Sequence, residues 1–168
     1  MPPGIIRPSM DKMRESVFSA LGDISGLSFL DLFSGSGIIA LEAASRGAAD
    51  IEAVEADPLK RKILLENAAL SPVRINCRFM SVELYIKRAK RMFDIIFIDP
   101  PFPYKFKQEL LGSLVNSRLI SNETTILLHR PREEFQAKKV NPVFLKESRE
   151  YGRSIVDFFY SNKQKNVF

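Results

Sequence analysis

The stretch SFLDLFSGSGIIALEAASRG, residues 28–47, decides the fold. Its first six residues are apolar and aromatic apart from Ser28 and Asp31. They run into Ser34-Gly35-Ser36-Gly37, the signature of a strand entering a tight loop. Residues 38–46 then read as a helix, stopped by Gly47. Gly35, Gly37 and Ala40 satisfy G-x-G-x-x-A, and Glu55 lies twenty residues beyond Gly35, near the end of a second strand, IEAVEA (51–56). Glycines at such a turn let a ligand approach backbone N–H groups at a helix N-terminus. A carboxylate at that distance can accept hydrogen bonds from a ribose diol. A nucleoside cofactor is therefore expected here, with a tight turn that binds nothing as the plain alternative. NAD and S-adenosylmethionine both fit. Asp31, inside the first strand, favours the second, because it can meet an ammonium group that S-adenosylmethionine carries and NAD lacks.

Outward from this unit the same rhythm repeats. Residues 9–21 carry Met10, Met13, Val17 and Leu21 at helical spacing, with Ser9 as a possible cap. Asp57-Pro58 starts a helix running to about residue 70. Strands are expected at 74–79, 93–98 and 124–129, with helices at 82–91 and 105–116 between them. Strands alternating with helices mean a parallel sheet covered on both faces. The tail breaks the rhythm: 143–151 and 154–162 read as two strands joined at Gly152-Arg153, an antiparallel hairpin. The expected fold class is α/β, a Rossmann-like, seven-stranded, mostly parallel sheet with helices on both faces and a C-terminal antiparallel hairpin. One domain is expected over residues 1–168, its sheet core spanning 28–162.

Composition bounds the function. The chain has 168 residues, 45% of them hydrophobic and 13 of them Phe, which favours a packed core over disorder. One cysteine excludes an internal disulfide framework and fits a reducing, cytoplasmic setting. The apolar runs are too short to span a bilayer, so no membrane partner is expected. The N-terminal residues lack the apolar core of a signal peptide. The net charge of +5 is compatible with a nucleic-acid partner without requiring one.

A second motif lies at the end of the fourth strand, in FDIIFIDPPFPYKF (93–106). Asp99 falls at the C-terminal end of a sheet strand, beside the expected cofactor crevice. Pro100 and Pro101 fix their own φ and make a stiff ledge. Such a ledge can present the Asp99 carboxylate and the Pro100 carbonyl to a group with two N–H bonds, while Phe102 stacks on the flat ring that bears it. An exocyclic amine on a nucleobase suits this. Its nitrogen is a poor nucleophile, and two acceptors would hold it toward tetrahedral geometry and stabilise the charge that develops on attack. A strand-ending turn with a surface aspartate is the plain alternative.

DLFSGSG (31–37), Glu55 and DPPF (99–102) resemble the Rossmann-like S-adenosylmethionine-dependent amino-methyltransferases. RPSMDKMRESVFSAL (7–21) is similar to a segment of the bacterial 16S ribosomal RNA guanine-N(2)-methyltransferases, and KESREYGRSIVDFFY (146–160) resembles their closing hairpin. The resemblance implies that S-adenosylmethionine is the cofactor. It implies that Asp31, Phe33, Ser34, Gly35, Ser36 and Gly37 line its methionine end, that Glu55 takes the ribose, and that Ala56, Ser81 and Val82 border the adenine. It implies that Asp99, Pro100, Pro101 and Phe102 hold the target base. Residues 1–22 would form the segment that closes over the cofactor, with Arg7 and Arg14 near the substrate. The implied partner is 16S ribosomal RNA or a small-subunit assembly particle, met by a cytoplasmic monomer. Ser81 stands where the family usually has Asp or Asn, and His129 where it often has Glu. Met1 falls where the family is already well under way, upstream of which relatives carry a basic hairpin; its absence implies either weaker RNA affinity or a start internal to a longer chain.

The remaining candidates have simpler readings. Cys77 reads as core packing, and His129 as a structural histidine. With no second His or Cys beside either, no metal site is expected. Lys87, Arg88, Lys90 and Arg91 read either as a solvated face or as phosphate contacts. Two rivals to methyl transfer are an NAD-binding oxidoreductase and a non-catalytic nucleotide- or RNA-binding module. Methyl transfer to another amine, of adenine, cytosine or a glutamine amide, is a closer alternative.

Overall fold

The computed structural model describes residues 8–134, 139–140 and 143–162. Helix α1 (Pro8–Leu21) precedes strand β1 (Ser28–Leu32). Then follow α2 (Ile38–Ser45), β2 (Asp50–Val54), α3 (Arg61–Ala69), β3 (Ile75–Arg78), α4 (Val82–Arg88), β4 (Ile95–Ile98), α5 (Lys107–Val115) and β5 (Thr125–Pro131). The chain closes with β6 (Lys139–Val140), β7 (Val143–Tyr151) and β8 (Ser154–Ser161). Helix α1 begins at Pro8, so Ser9, expected as the cap, lies inside its first turn; proline is favoured at a first helical position, where no N–H is needed.

The sheet order is β3-β2-β1-β4-β5-β8-β7-β6. The five strands β1 to β5 pair in parallel, and β8 joins β5 antiparallel. The seven expected strands are present, and an eighth, β6, pairs with β7 through two residues only. Two residues carry no periodicity, which is why the sequence showed no sign of it. The central strands are uninterrupted apolar runs because both their faces are covered: Ile95–Ile98 is buried throughout.

Period two along the strands divides the core. Phe29, Ala53, Phe97 and Leu127 face one side, where Met13, Val17 and Phe18 of α1, Ala40 and Ala43 of α2 and Leu64 of α3 pack. Leu30, Val54, Ile96 and Leu128 face the other, against α4 and α5. Helix packing thus changes sides between the β1–β2–β3 half and the β4–β5 half. The order reverses between β1 and β4, which opens a crevice at the C-terminal edge of those two strands.

Two local devices shape that edge. Phe33 has φ 60°, a left-handed value unusual for a residue with a side chain, and it ends β1 by turning the chain out of the sheet. Gly37 caps α2 with φ 80°, and a Cβ there would stand 2.4 Å from Leu64 Cδ1. Glycine is required twice over, for the backbone angle and for the close approach of α3.

Candidate active site

The register places four residues side by side. Leu32 pairs with Val54 on β2 and with Ile98 on β4, and Ile98 pairs with Leu128 on β5. Phe33, Glu55, Asp99 and His129 are the next residues on those four strands. They emerge at one edge of the sheet; Phe33, turned out of β1 by its left-handed backbone, packs toward the α4–α5 side. A cleft of about 830 Å³ lies against them, walled by the glycine loop, the proline ledge, α1 and the β7–β8 turn.

At the glycine end, Asp31 is 1% exposed. Its Oδ2 accepts from Ser34 Oγ at 2.7 Å and from the Ala40 N–H at 3.2 Å. Burial pushes the Asp31 carboxyl up to about 7; the Ser34 hydroxyl opposes this, and the negative charges of Asp99 and Glu55 add to it. A buried carboxyl flanked by two others is a site that a cation would relieve. Glu55 accepts from the Gly35 N–H at 2.6 Å through Oε2 and from the Asp57 N–H at 2.8 Å through Oε1. The carboxylate thus sets the curl of the loop, and each oxygen retains capacity for a hydroxyl donor. Ser36 and Ala56 also line the cleft, and the Ser36 carbonyl is held by Asn67 Nδ2 at 2.7 Å.

At the proline end, the Asp99 N–H bonds the Leu32 carbonyl at 3.2 Å, which fixes the end of β4 to β1. The ledge closes as a turn, with the Tyr104 N–H on the Pro101 carbonyl at 2.9 Å. Pro100 is buried, whereas Pro101 is exposed and the Phe102 ring is 64% exposed. Lys107, itself buried, braces the turn: its Nζ reaches the Tyr104 carbonyl at 2.7 Å and Glu134 Oε2 at 2.8 Å. Tyr104 packs edge-on against Phe33 at 5.2 Å, so the two ends of the cleft touch through an aromatic pair.

The structure brings together most of the residues singled out from the sequence. Asp31, Phe33, Ser34, Gly35, Ser36, Glu55, Ala56 and the four residues 99–102 all reach the cleft. Arg14 does too, held by Asp11 at 2.9 Å and facing Glu42 at 3.8 Å. Gly37 stands behind the loop. Ser81 and Val82 are not brought to the cleft wall. The Ser81 hydroxyl caps α4 by accepting from the Leu84 N–H at 3.2 Å, and Val82 is 2% exposed in the opposite core. Arg7 lies outside the described residues. In the basic run, Arg91 is committed to Asp50 and stacks on Phe93 at 4.1 Å, while Lys87, Arg88 and Lys90 are exposed. Cys77 packs against the α1–α3 core, and burial raises its thiol.

Sequence reasoning missed three contributors. His129 lines the cleft and bonds Asp99; its place at the end of a strand neighbouring β4 was the available signal. Lys60 and Arg153, both exposed, add positive charge to the wall. Among the described residues no group of His, Cys, Asp and Glu could hold a metal ion, and no helix is long and apolar enough to cross a membrane.

The family described as Conserved hypothetical protein 95 matches residues 1–160. The chain belongs to that family. The family resemblance read from the sequence is borne out by named relatives. The chain is 32% identical over 129 residues to the Ribosomal RNA small subunit methyltransferase D of Escherichia coli (strain K12), covering 74% of this chain and 63% of that protein. It is 28% identical over 131 residues to the protein of the same name from Buchnera aphidicola subsp. Baizongia pistaciae, covering 74% and 65%. The matched region thus spans just under two thirds of these relatives' length. Among solved structures, a putative methyltransferase, yhhF, from Escherichia coli superposes with TM-score 0.82 at 27% identity over 96% of this chain and 90% of that one. A conserved hypothetical protein from Streptococcus pyogenes does so with TM-score 0.83 at 26% identity over 88% and 94%.

Proposed function

We propose that this chain transfers a methyl group from S-adenosylmethionine to the exocyclic 2-amino group of a guanine in 16S ribosomal RNA. The observation that carries the reading is one cleft with two unlike ends: a glycine loop with buried Asp31 and Glu55, and a rigid Asp99-Pro100-Pro101-Phe102 ledge with an exposed ring. Names of the relatives in two species point to ribosomal RNA of the small subunit. When bound, the cofactor supplies an electrophilic methyl on a sulfonium, which needs an in-line nucleophile and no covalent enzyme intermediate.

The residues present fit that cofactor. Asp31 answers an ammonium group, since a cation there offsets both its burial and the nearby negative charges. Glu55 accepts from a ribose diol while keeping the Gly35 N–H oriented. Asp99 accepts the N–H of the target amine and stabilises positive charge as it develops on that nitrogen. Phe102 offers its face to the base once the base has left its stack. Lys60 and Arg153 offer positive charge to the phosphates beside it. Ser81 caps α4 and Val82 packs in the opposite core, so neither side chain enters this reading of the adenine. The full reading is of one domain, residues 1–168, working as a cytoplasmic monomer on naked RNA or an assembly particle.

The test is transfer of labelled methyl from S-adenosylmethionine to unmodified small-subunit RNA and to particles, followed by mass mapping of the product nucleotide. The expected product is N2-methylguanine. A methyl on adenine or on protein would replace the substrate assignment, and binding of RNA without transfer would leave a non-catalytic module.

A further inference from the structure

His129 lies on β5, where strand pairing sets it beside Asp99 of β4. Its Nδ1 is 2.8 Å from Asp99 Oδ1, and its side chain is 12% exposed against 31% for Asp99. Its other nitrogen, Nε2, is buried and has no hydrogen-bond partner among the described residues. An ionised carboxylate only accepts, so Nδ1 carries the hydrogen of this bond, and Nε2 is left without a partner. Leaving a buried polar atom unpaired is costly, and such a cost persists where the other half of the ring has a task.

That task follows from the ledge. The two prolines fix the backbone of the turn but not the Asp99 side chain, whose carboxyl rotates about a broad, roughly two-fold torsion. With Oδ1 occupied by an imidazole N–H, rotation is restrained and Oδ2 is left to the cleft. No other donor among the described residues bonds either Asp99 oxygen.

We infer that His129 is a positioning residue for Asp99: its Nδ1–H pins one carboxylate oxygen so that the other faces the incoming amine. This rests on the methyl-transfer reading for its consequence in turnover, but the pairing itself stands on geometry alone. In this role the ring acts through Asp99, as second-layer hydrogen bonds commonly orient a reacting group.

His129 is the only histidine of the chain, so its ring can be observed without assignment by mutation. In ¹⁵N NMR of the whole chain, Nδ1 is expected to be protonated, and Asp99→Ala is expected to abolish that preference. A ring protonated on Nε2 alone in the parent, or one indifferent to Asp99→Ala, overturns the pairing. In turnover, His129→Leu is expected to lower kcat about 10²-fold, the scale of a misplaced reacting group. S-adenosylmethionine affinity by calorimetry should be unchanged, which also reports a folded chain. His129→Asn, whose amide N–H can replace Nδ1–H, is expected to return to within about tenfold of the parent. Equal losses in the Leu and Asn variants, or full activity in both, would overturn the positioning role. A parent that transfers no methyl would sink the proposed function instead, and the NMR result would then decide the pairing alone.

Discussion

The two ends of the cleft are built differently. The glycine end is continuous with the core. Asp31 is inside β1, Gly37 abuts Leu64 of α3, and Glu55 holds the backbone of the loop it faces. The proline end stands off the core. Its ring is exposed, its turn is closed by its own backbone, and side chains brace it from outside: Lys107 on the Tyr104 carbonyl and Glu83 on the Tyr104 hydroxyl. One end therefore cannot be altered without disturbing stability, whereas the other can lose chemistry while the fold stays intact.

The sharpest way to break that contrast is Asp99→Ala. Methyl transfer is expected to fall by about 10³-fold, the scale for removing a group that stabilises transition-state charge. Calorimetric affinity for S-adenosylmethionine and the melting temperature should stay near the parent's. If cofactor affinity collapses with activity, the ends are not separable.

Gly37→Ala tests the other end. The added Cβ meets Leu64 in a backbone conformation that side chains disfavour, so urea unfolding should show a loss of about 2 kcal/mol. Cofactor affinity should fall as the loop shifts. A variant as stable as the parent would show that the loop is not tied to α3.

Asp31→Asn tests the electrostatics of the same end. In the folded chain the carboxyl titrates near 7 instead of near its ordinary value of 3.8. Between those values the folded state keeps a proton that the unfolded state has released. This group therefore costs stability as pH rises from about 4 to 7, and nothing further above that. The decline is on the order of 4 kcal/mol for a shift of about 3 pH units. Urea unfolding across that range should show a shallower decline in the Asn variant than in the parent. Parallel curves would mean that Asp31 is already ionised.

Phe102→Ala carries the smallest effect on the fold. The ring is exposed, so stability should change by less than about 0.5 kcal/mol. Loss of base stacking should lower kcat/KM for RNA by about 10-fold to 100-fold, the scale of 1–3 kcal/mol per base. An unchanged kcat/KM would remove the stacking role.

Most of the parallel sheet was legible because its strands are apolar on both faces and end in loops with strong turn chemistry. The glycine loop, Glu55 and the Asp99 ledge were legible for a related reason: glycine and proline restrict the backbone through local rules. What escaped depends on contacts between distant segments. His129 was taken as structural, since its neighbour becomes visible only once β4 and β5 are known to be adjacent. Ser81, directly before the expected helix at 82–91, has the position of a cap, but the resemblance reads it only as a border of the adenine. The expected strand at 93–98 starts two residues later, because the Phe93 N–H bonds the Leu119 carbonyl and Asp94 is taken by Ser28. Those partners lie 26 and 66 residues away, beyond any local pattern.

Tyr151, at the hairpin turn, bonds Ser16 of α1 across 135 residues, with 2.7 Å between hydroxyl oxygens. During synthesis α1 emerges long before this seat for it. A growing chain that has completed β5 already carries the glycine loop, Glu55, Asp99 and His129, but the wall formed by Tyr151 and Arg153 has still to be made. The cleft is therefore finished late, and until then its strand edge is open to whatever the nascent chain meets.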